Sequence, residues 1–142
     1  MSIRKYRRDR IAKLRELPVL AACTDVELEA VDSLVSHVMI SAGRVFARQG
    51  EAGRECYLIE SGRVAIVRDG ETICEVGPGT WLGEMSLLHG EARNASLVAL
   101  TDVGIDVLNR GEFTNLLDCA PALAQKIRQT ATERRSQDDL VA

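Results

Sequence analysis

Between Trp81 and Arg93 the chain reads WLGEMSLLHGEAR, and the residue types and spacing there suit the capture of one small phosphorylated anion. Gly83 and Glu84 come first, a short apolar turn follows (Met85, Ser86, Leu87, Leu88), and Arg93 stands nine residues after Glu84, ahead of a strand-like stretch from Ala95 to Leu100. Amides that open a helix have no intrahelical acceptor, so those of Met85, Ser86 and Leu87 can donate to phosphate oxygens. Gly83 lets the backbone approach closely. Arg93 brings a fixed charge and a planar fork that matches two phosphate oxygens, which lysine cannot reproduce. A carboxylate beside an anion site is repulsive unless it turns to a donor on the same ligand, and for Glu84 a ribose hydroxyl is such a donor. The plainer alternative is a surface ion pair of Glu84 with Arg93, which contributes little and needs neither the glycine nor the short helix. His89 has no Ser, Cys or carboxylate partner at motif spacing, so a solvated loop position is expected rather than a catalytic one.

The rest of the chain must position those residues. At 142 residues, with 46% hydrophobic and 27% charged residues, one soluble domain is expected. No apolar run approaches the roughly 20 residues of a membrane span, and the basic N-terminus is followed by no apolar segment, so a cytoplasmic protein is expected, neither secreted nor membrane-spanning. Cys23, Cys56, Cys74 and Cys119 are scattered without a C-x-x-C pair, which predicts reduced thiols, with Cys56 and Cys74 in a barrel wall, and no metal site. The net charge of −3 hides an asymmetry: seven basic residues against Asp9 give residues 1–15 a charge of +6. The remaining body is acidic, so an anionic ligand would depend on a local device such as Arg93 with helix amides. The basic stretch itself reads as a solvated helix face or as a docking arm for an acidic partner or membrane surface.

Periodicity changes twice along the chain. Ile11, Leu14 and Leu17 lie at helical spacing over residues 4–17, ended by Pro18. Thr24 and Glu27 form a capping-box pair opening a helix whose Leu28, Val31, Leu34 and Val35 share a face. Alternating segments follow near 38–41, 44–48, 55–60, 63–68, 72–76, 95–100 and 102–108, with an Asp69–Gly70 hairpin signal and Phe46 and Tyr57 as core residues. Short strands broken by glycines predict a β-roll or jelly roll. Helical spacing then returns, with Asn109 and Glu112 as a cap, an apolar stripe of Phe113, Leu116 and Leu117, and Pro121 in the first turn of a last helix running to about Arg135.

The stretch Gly83, Glu84, Met85, Ser86, Leu87, then Arg93, Asn94, Ala95, Ser96, resembles the phosphate-binding cassette of the cyclic nucleotide-binding domain family. That family includes catabolite activators, kinase regulatory subunits and gated channels. Gly43, Phe46, Gly50, Gly53, Tyr57, Leu58, Ile59, Gly62 and Val64 extend the likeness upstream, and it covers about residues 17–135. Ala92 stands where many members have proline, which loosens the turn, and Asn94 replaces a small residue that can touch the purine, which bears on base selectivity.

The resemblance implies a mainly β fold: an eight-stranded β-roll (double-stranded β-helix or jelly roll) with N-terminal helices and a C-terminal lid helix. The expected organisation is a basic helix at 1–18, the binding domain at 19–135 and a tail at 136–142. It implies a regulatory sensor, not an enzyme, whose ligand is cAMP, with cGMP possible, and which needs no other cofactor. Gly83, Glu84, Met85, Ser86, Leu87, Arg93, Asn94, Ala95 and Ser96 would hold the ligand, and Ile127, Thr130, Ala131 and Arg134 would face the base from the lid. A protein partner or a homodimer through the flanking helices is compatible with this, and membrane contact by the basic N-terminus is a weaker expectation. Direct DNA binding is not expected, since the sequence stops where a helix-turn-helix would begin. Alternatives are a degenerate, ligand-free interaction module, a regulatory piece of a larger channel, transporter or enzyme, and a metal-dependent cupin, which His37 and His89 alone supply poorly.

Overall fold

The computed structural model describes residues 2–136, with side chains through Glu133. Helix α1 (Ile3–Arg15) starts from Ser2, whose hydroxyl accepts from the Lys5 amide, and a 3-10 turn, Pro18–Leu20, follows where the proline interrupts the pattern. Helix α2 (Asp25–Leu34) opens with both halves of the Thr24–Glu27 capping box in place. Val35, expected on its apolar face, is already extended as the C-cap.

Eight strands then build two antiparallel four-stranded sheets: β1 (Ser36–Ile40), β2 (Val45–Ala47), β3 (Glu55–Ser61), β4 (Val64–Arg68), β5 (Glu71–Val76), β6 (Trp81–Leu82), β7 (Ser96–Ala99) and β8 (Val103–Asn109). One sheet runs β1-β8-β3-β6 and the other β2-β7-β4-β5, so the eight-stranded roll is present. Seven strands match the alternating segments to within a few residues. The two-residue β6 has no readable period and is not among those segments. Asp69 (φ 53°) and Gly70 (φ 82°) make the expected tight turn between β4 and β5.

Alternation on β3 sorts the molecule into two cores. Tyr57 and Ile59 point into the roll with Ile66, Leu82, Leu97 and Ile105, whereas Cys56 and Leu58 point out, under the helices. That outer layer holds Leu14, Leu28, Val31, Phe113, Leu116 and Ile127, from α1, α2, α4 (Arg110–Cys119) and α5 (Pro121–Ser136). Buried on both faces, β3 reads as a continuous apolar run rather than as strict alternation. The Asn109–Glu112 capping box forms at the start of α4, and Pro121 is the first residue of α5. Residues 137–142 of the expected tail lie outside the described residues.

Candidate ligand-binding site

The cassette is a short helix, α3 (Glu84–His89), set between β6 and β7 and bounded by two left-handed glycines, Gly83 (φ 83°) and Gly90 (φ 68°). Arg93 follows on a loop pinned from both sides: its N–H donates to the Glu51 carbonyl (2.9 Å) and its carbonyl accepts from the Gly50 N–H (2.8 Å). The side chain is turned inward and only 4% exposed. Nη2 donates to the Glu55 carbonyl at 2.7 Å and to the Tyr57 hydroxyl at 3.4 Å. The Arg93 Cζ stands 5.3 Å from the Tyr57 ring centroid, and that ring meets Phe46 edge-on.

Among the described residues, Arg93 meets no anion: Nη1 is buried with no hydrogen-bond partner there, and no carboxylate lies at ion-pair distance from the guanidinium. The surface ion pair with Glu84 does not form. An unmade buried donor costs about 1–3 kcal/mol, more for a charged one, so this position stores a demand for an acceptor. Two glycines keep the room. A Cβ on Gly83 would sit 2.5 Å from Nη1 and 3.0 Å from the Glu55 carbonyl oxygen, and one on Gly53 would overlap the Ser86 side chain.

The expected site residues separate into groups. Arg93 lines a cavity of about 410 Å³ with Phe46, Ala47, Glu51, Arg54, Glu55 and Tyr57, within the range for small-molecule pockets. Glu84, 1% exposed, borders a different cavity of about 240 Å³, with Trp81, Ile127 and Thr130. Gly83 lies against Arg93, but the carboxylate and the guanidinium are not placed on one cavity. Met85 and Leu87 are buried, and Leu87 belongs to the outer core. Ala95 is a fully buried core residue, and the Ser96 hydroxyl accepts from the Gln49 amide (2.9 Å). The Asn94 carbonyl accepts from Arg68 Nε (3.0 Å), while its side-chain oxygen is buried with no partner among the described residues.

Of the lid candidates, Ile127 and Ala131 are buried and the Thr130 hydroxyl donates to the Lys126 carbonyl (2.9 Å). The Arg134 side chain lies outside what is described. No α5 residue is among those lining the Arg93 cavity. His89 is exposed, as expected, but it is the last residue of α3 rather than a loop residue.

Sequence reasoning missed Tyr57 and Glu55 as walls of the cavity. Tyr57 was read as core, and its hydroxyl, two residues along the strand from a carbonyl facing the same arginine, was the available hint. The Glu55 carbonyl left no signal, because any residue supplies one. Burial pushes the Tyr57 phenol up, with the Arg93 charge opposing it. Burial, reinforced by the Glu84 charge, also raises the Cys56 thiol, so the expected barrel-wall cysteine is an inert one. All four cysteines are free. A cleft of about 770 Å³ between α1 and α2 lies apart from the cassette, with Arg4, Arg7, Arg8, Ile11 and Glu29 among its walls. It has the volume of a site but no buried, convergent polar group.

An eight-stranded roll with a short glycine-bounded helix before an inward-turned arginine is a distinct class of β-roll module. The chain belongs to the cyclic nucleotide-binding domain family, whose family model matches residues 37–119. It is 37% identical over 97 residues to a cyclic nucleotide-gated potassium channel of Rhizobium etli, covering 68% of this chain and 27% of the channel. It is 30% identical over 115 residues to a cAMP-dependent protein kinase regulatory subunit of Hypocrea atroviridis, covering 81% of this chain and 25% of that subunit. The crystal structure of the Thermus thermophilus catabolite activator protein superposes with a TM-score of 0.77 at 30% identity, covering 87% of this chain and 60% of that one. The chain thus spans about a quarter of the length of the two curated relatives. Among the described residues no helix is long and apolar enough to cross a membrane.

Proposed function

We propose that this chain is a non-enzymatic sensor that binds a cyclic nucleotide, with cAMP preferred over cGMP, in the Arg93 cavity. The observation that carries this reading is the Arg93 guanidinium, buried and held by a carbonyl and a hydroxyl with Nη1 left without an acceptor. The cyclic phosphate supplies the missing acceptor, helped by the amides that open α3. Gly83 and Gly53 keep the space clear, and Asn94, whose side-chain oxygen has no partner among the described residues, turns to meet the base. Glu84 takes the ribose 2′-hydroxyl, which requires α3 to turn its carboxylate toward the Arg93 cavity when ligand enters. Ile127, Thr130, Ala131 and Arg134 on α5 then close on the base.

The preference for cAMP leans on the likeness to a cAMP-dependent protein kinase regulatory subunit, and Asn94 can serve either purine. Output passes through the helices that flank the roll, since a ligand shifts an equilibrium only by its differential affinity for two states. The basic α1 and the lid α5 are those elements, acting on an acidic protein partner in the cytoplasm. Isothermal titration of the chain with cAMP and with cGMP tests the reading, and heat from neither nucleotide would leave the ligand-free interaction module in its place. Separate cavities for Glu84 and Arg93 favour that second reading in the absence of ligand.

A further inference from the structure

Away from the cassette, the outer face of the β1-β8-β3-β6 sheet buries a second set of charges. Leu58 on β3 pairs with Asp106 on β8, and Asp106 also pairs with His37 on β1. Glu60 is the extra residue of a β3 bulge, between Ile59 opposite Ile105 and Ser61 opposite Gly104, which sets its carboxylate beside that of Asp106. The Glu60 and Asp106 side chains are both fully buried.

Every element packed there contributes a charged or titratable group. From α1, Arg10 donates Nη1 and Nη2 to the two Glu60 oxygens (3.0 and 2.9 Å), with Nη2 3.7 Å from Asp106 Oδ1. Its Nε donates to Asp32 on α2 (3.0 Å), and the half-exposed Lys13 ammonium stands 3.6 Å from Glu60. From β1, His37 Nδ1 lies 3.0 Å from Asp106 Oδ1 and 3.3 Å from Glu60 Oε2. His37, Glu60 and Asp106 have the spacing of metal ligands, but Arg10 already takes both Glu60 oxygens and is the resident cation. Three carboxylates therefore face two fixed cations, one guanidinium and one half-solvated ammonium, with the titratable His37 imidazole beside them. The fixed charges leave the cluster one positive charge short.

We infer that a proton held between the Glu60 and Asp106 carboxyls supplies that charge, and that it latches α1 to the roll: docked α1 holds a proton that undocked α1 releases. Without α1, water reaches both carboxyls and each can ionise. With α1 in place, two adjacent buried carboxylates cannot both stay charged, so the pair keeps one proton. Burial, and then the hydrogen bond and charge of Glu60, push the Asp106 carboxyl up to about 8. Burial opposes ionisation of Glu60 as well, but the hydrogen bonds from Asp106 and Arg10 outweigh it and hold that carboxyl below the usual range. A carboxyl raised in the docked state contributes docking free energy in full below its ordinary value of about 3.9. That contribution is lost as pH rises toward about 8 and is flat above it. One proton makes the dependence up to tenfold per pH unit. The inference concerns α1 alone and does not depend on nucleotide binding.

The test is amide hydrogen exchange of the whole chain at pH 6 and pH 8, with intrinsic exchange rates divided out, alongside a carbon-13 carboxyl titration of Asp106. Protection of α1 amides is expected to fall by about 30- to 100-fold across those two pH units, as one released proton requires, while β4 and β7 keep theirs. Asp106→Asn mimics the protonated form and should hold α1 docked with no pH slope, and His37→Asn should keep the slope. Equal α1 protection at the two pH values, a slope surviving in Asp106→Asn, or a slope lost in His37→Asn would each overturn the latch. Should Asp106→Asn fail to fold, the wild-type carboxyl titration decides: a midpoint above 6 supports the latch, and one near 4 refutes it.

Discussion

Among the described residues, two arginines reach into the protein, Arg93 buried and Arg10 partly buried, and their surroundings are opposite. Arg10 comes from a helix outside the roll and ends on the carboxylates of Glu60, Asp32 and Asp106, which raise its pKa still further, so every charge it brings is met within the chain. Arg93 comes from the cassette loop inside the roll and meets a carbonyl, a phenol and an aromatic face, with one nitrogen unmatched. Both are desolvated, and only one is neutralised. Drawing a charge out of water is therefore no mark of function by itself, because Arg10 is largely withdrawn from solvent and serves structure. The mark is a buried charge whose counter-ion no described residue supplies.

Changing each arginine should break different things. Arg10→Ala leaves Glu60 and Asp106 buried without their cation and should cost about 3 kcal/mol of stability or detach α1, the lower end of the range for breaking a buried pair. Urea unfolding measures it, and nucleotide affinity should stay within twofold. Arg93→Ala should do the reverse. Cyclic nucleotide binding weakens by about 2–4 kcal/mol, or about 30- to 1,000-fold, while the unfolding midpoint holds or rises, since a strained buried cation has gone. Binding within twofold of wild type, in a variant still folded by circular dichroism, would remove Arg93 from the site.

Smaller effects sharpen the contrast. Glu84→Gln should weaken binding by about 1.5–3 kcal/mol, less than Arg93→Ala, and a 2′-deoxy cyclic nucleotide should bind wild type more weakly by a similar amount. Equal affinity for ribo and deoxyribo ligands would show that Glu84 stays on its own cavity in the bound state. Gly83→Ala should displace Arg93, because a Cβ there meets Nη1 at a φ that only glycine adopts easily. Its loss of affinity should exceed its loss of stability when titration and urea unfolding are compared. The smallest effect concerns the base: cAMP should bind more tightly than cGMP by less than tenfold, and cGMP tenfold tighter in a competition titration would reverse the assignment.

Much of the frame was legible because it is written in short-range rules. The Thr24–Glu27 and Asn109–Glu112 capping boxes, the Asp69–Gly70 turn and the glycine-bounded cassette each depend on residues within a few positions of one another, so local geometry decides them. Strand alternation likewise marked seven of eight strands and pointed to a β-roll or jelly roll, and the resemblance added the count of eight. The network around Arg10 was invisible for the opposite reason. Glu60 reaches it through a bulge, Asp106 by sheet register and Asp32 by helix packing, and none of these has a local signature. The cassette shows the same division within one site. Sequence by itself determined that Gly83, Glu84 and Arg93 stand at the spacing of an anion site. Only the tertiary structure decided that Arg93 leans on a Glu55 carbonyl and a Tyr57 hydroxyl, and that Glu84 borders another cavity beside α5, because which side chains share a space depends on how distant strands and helices close around it.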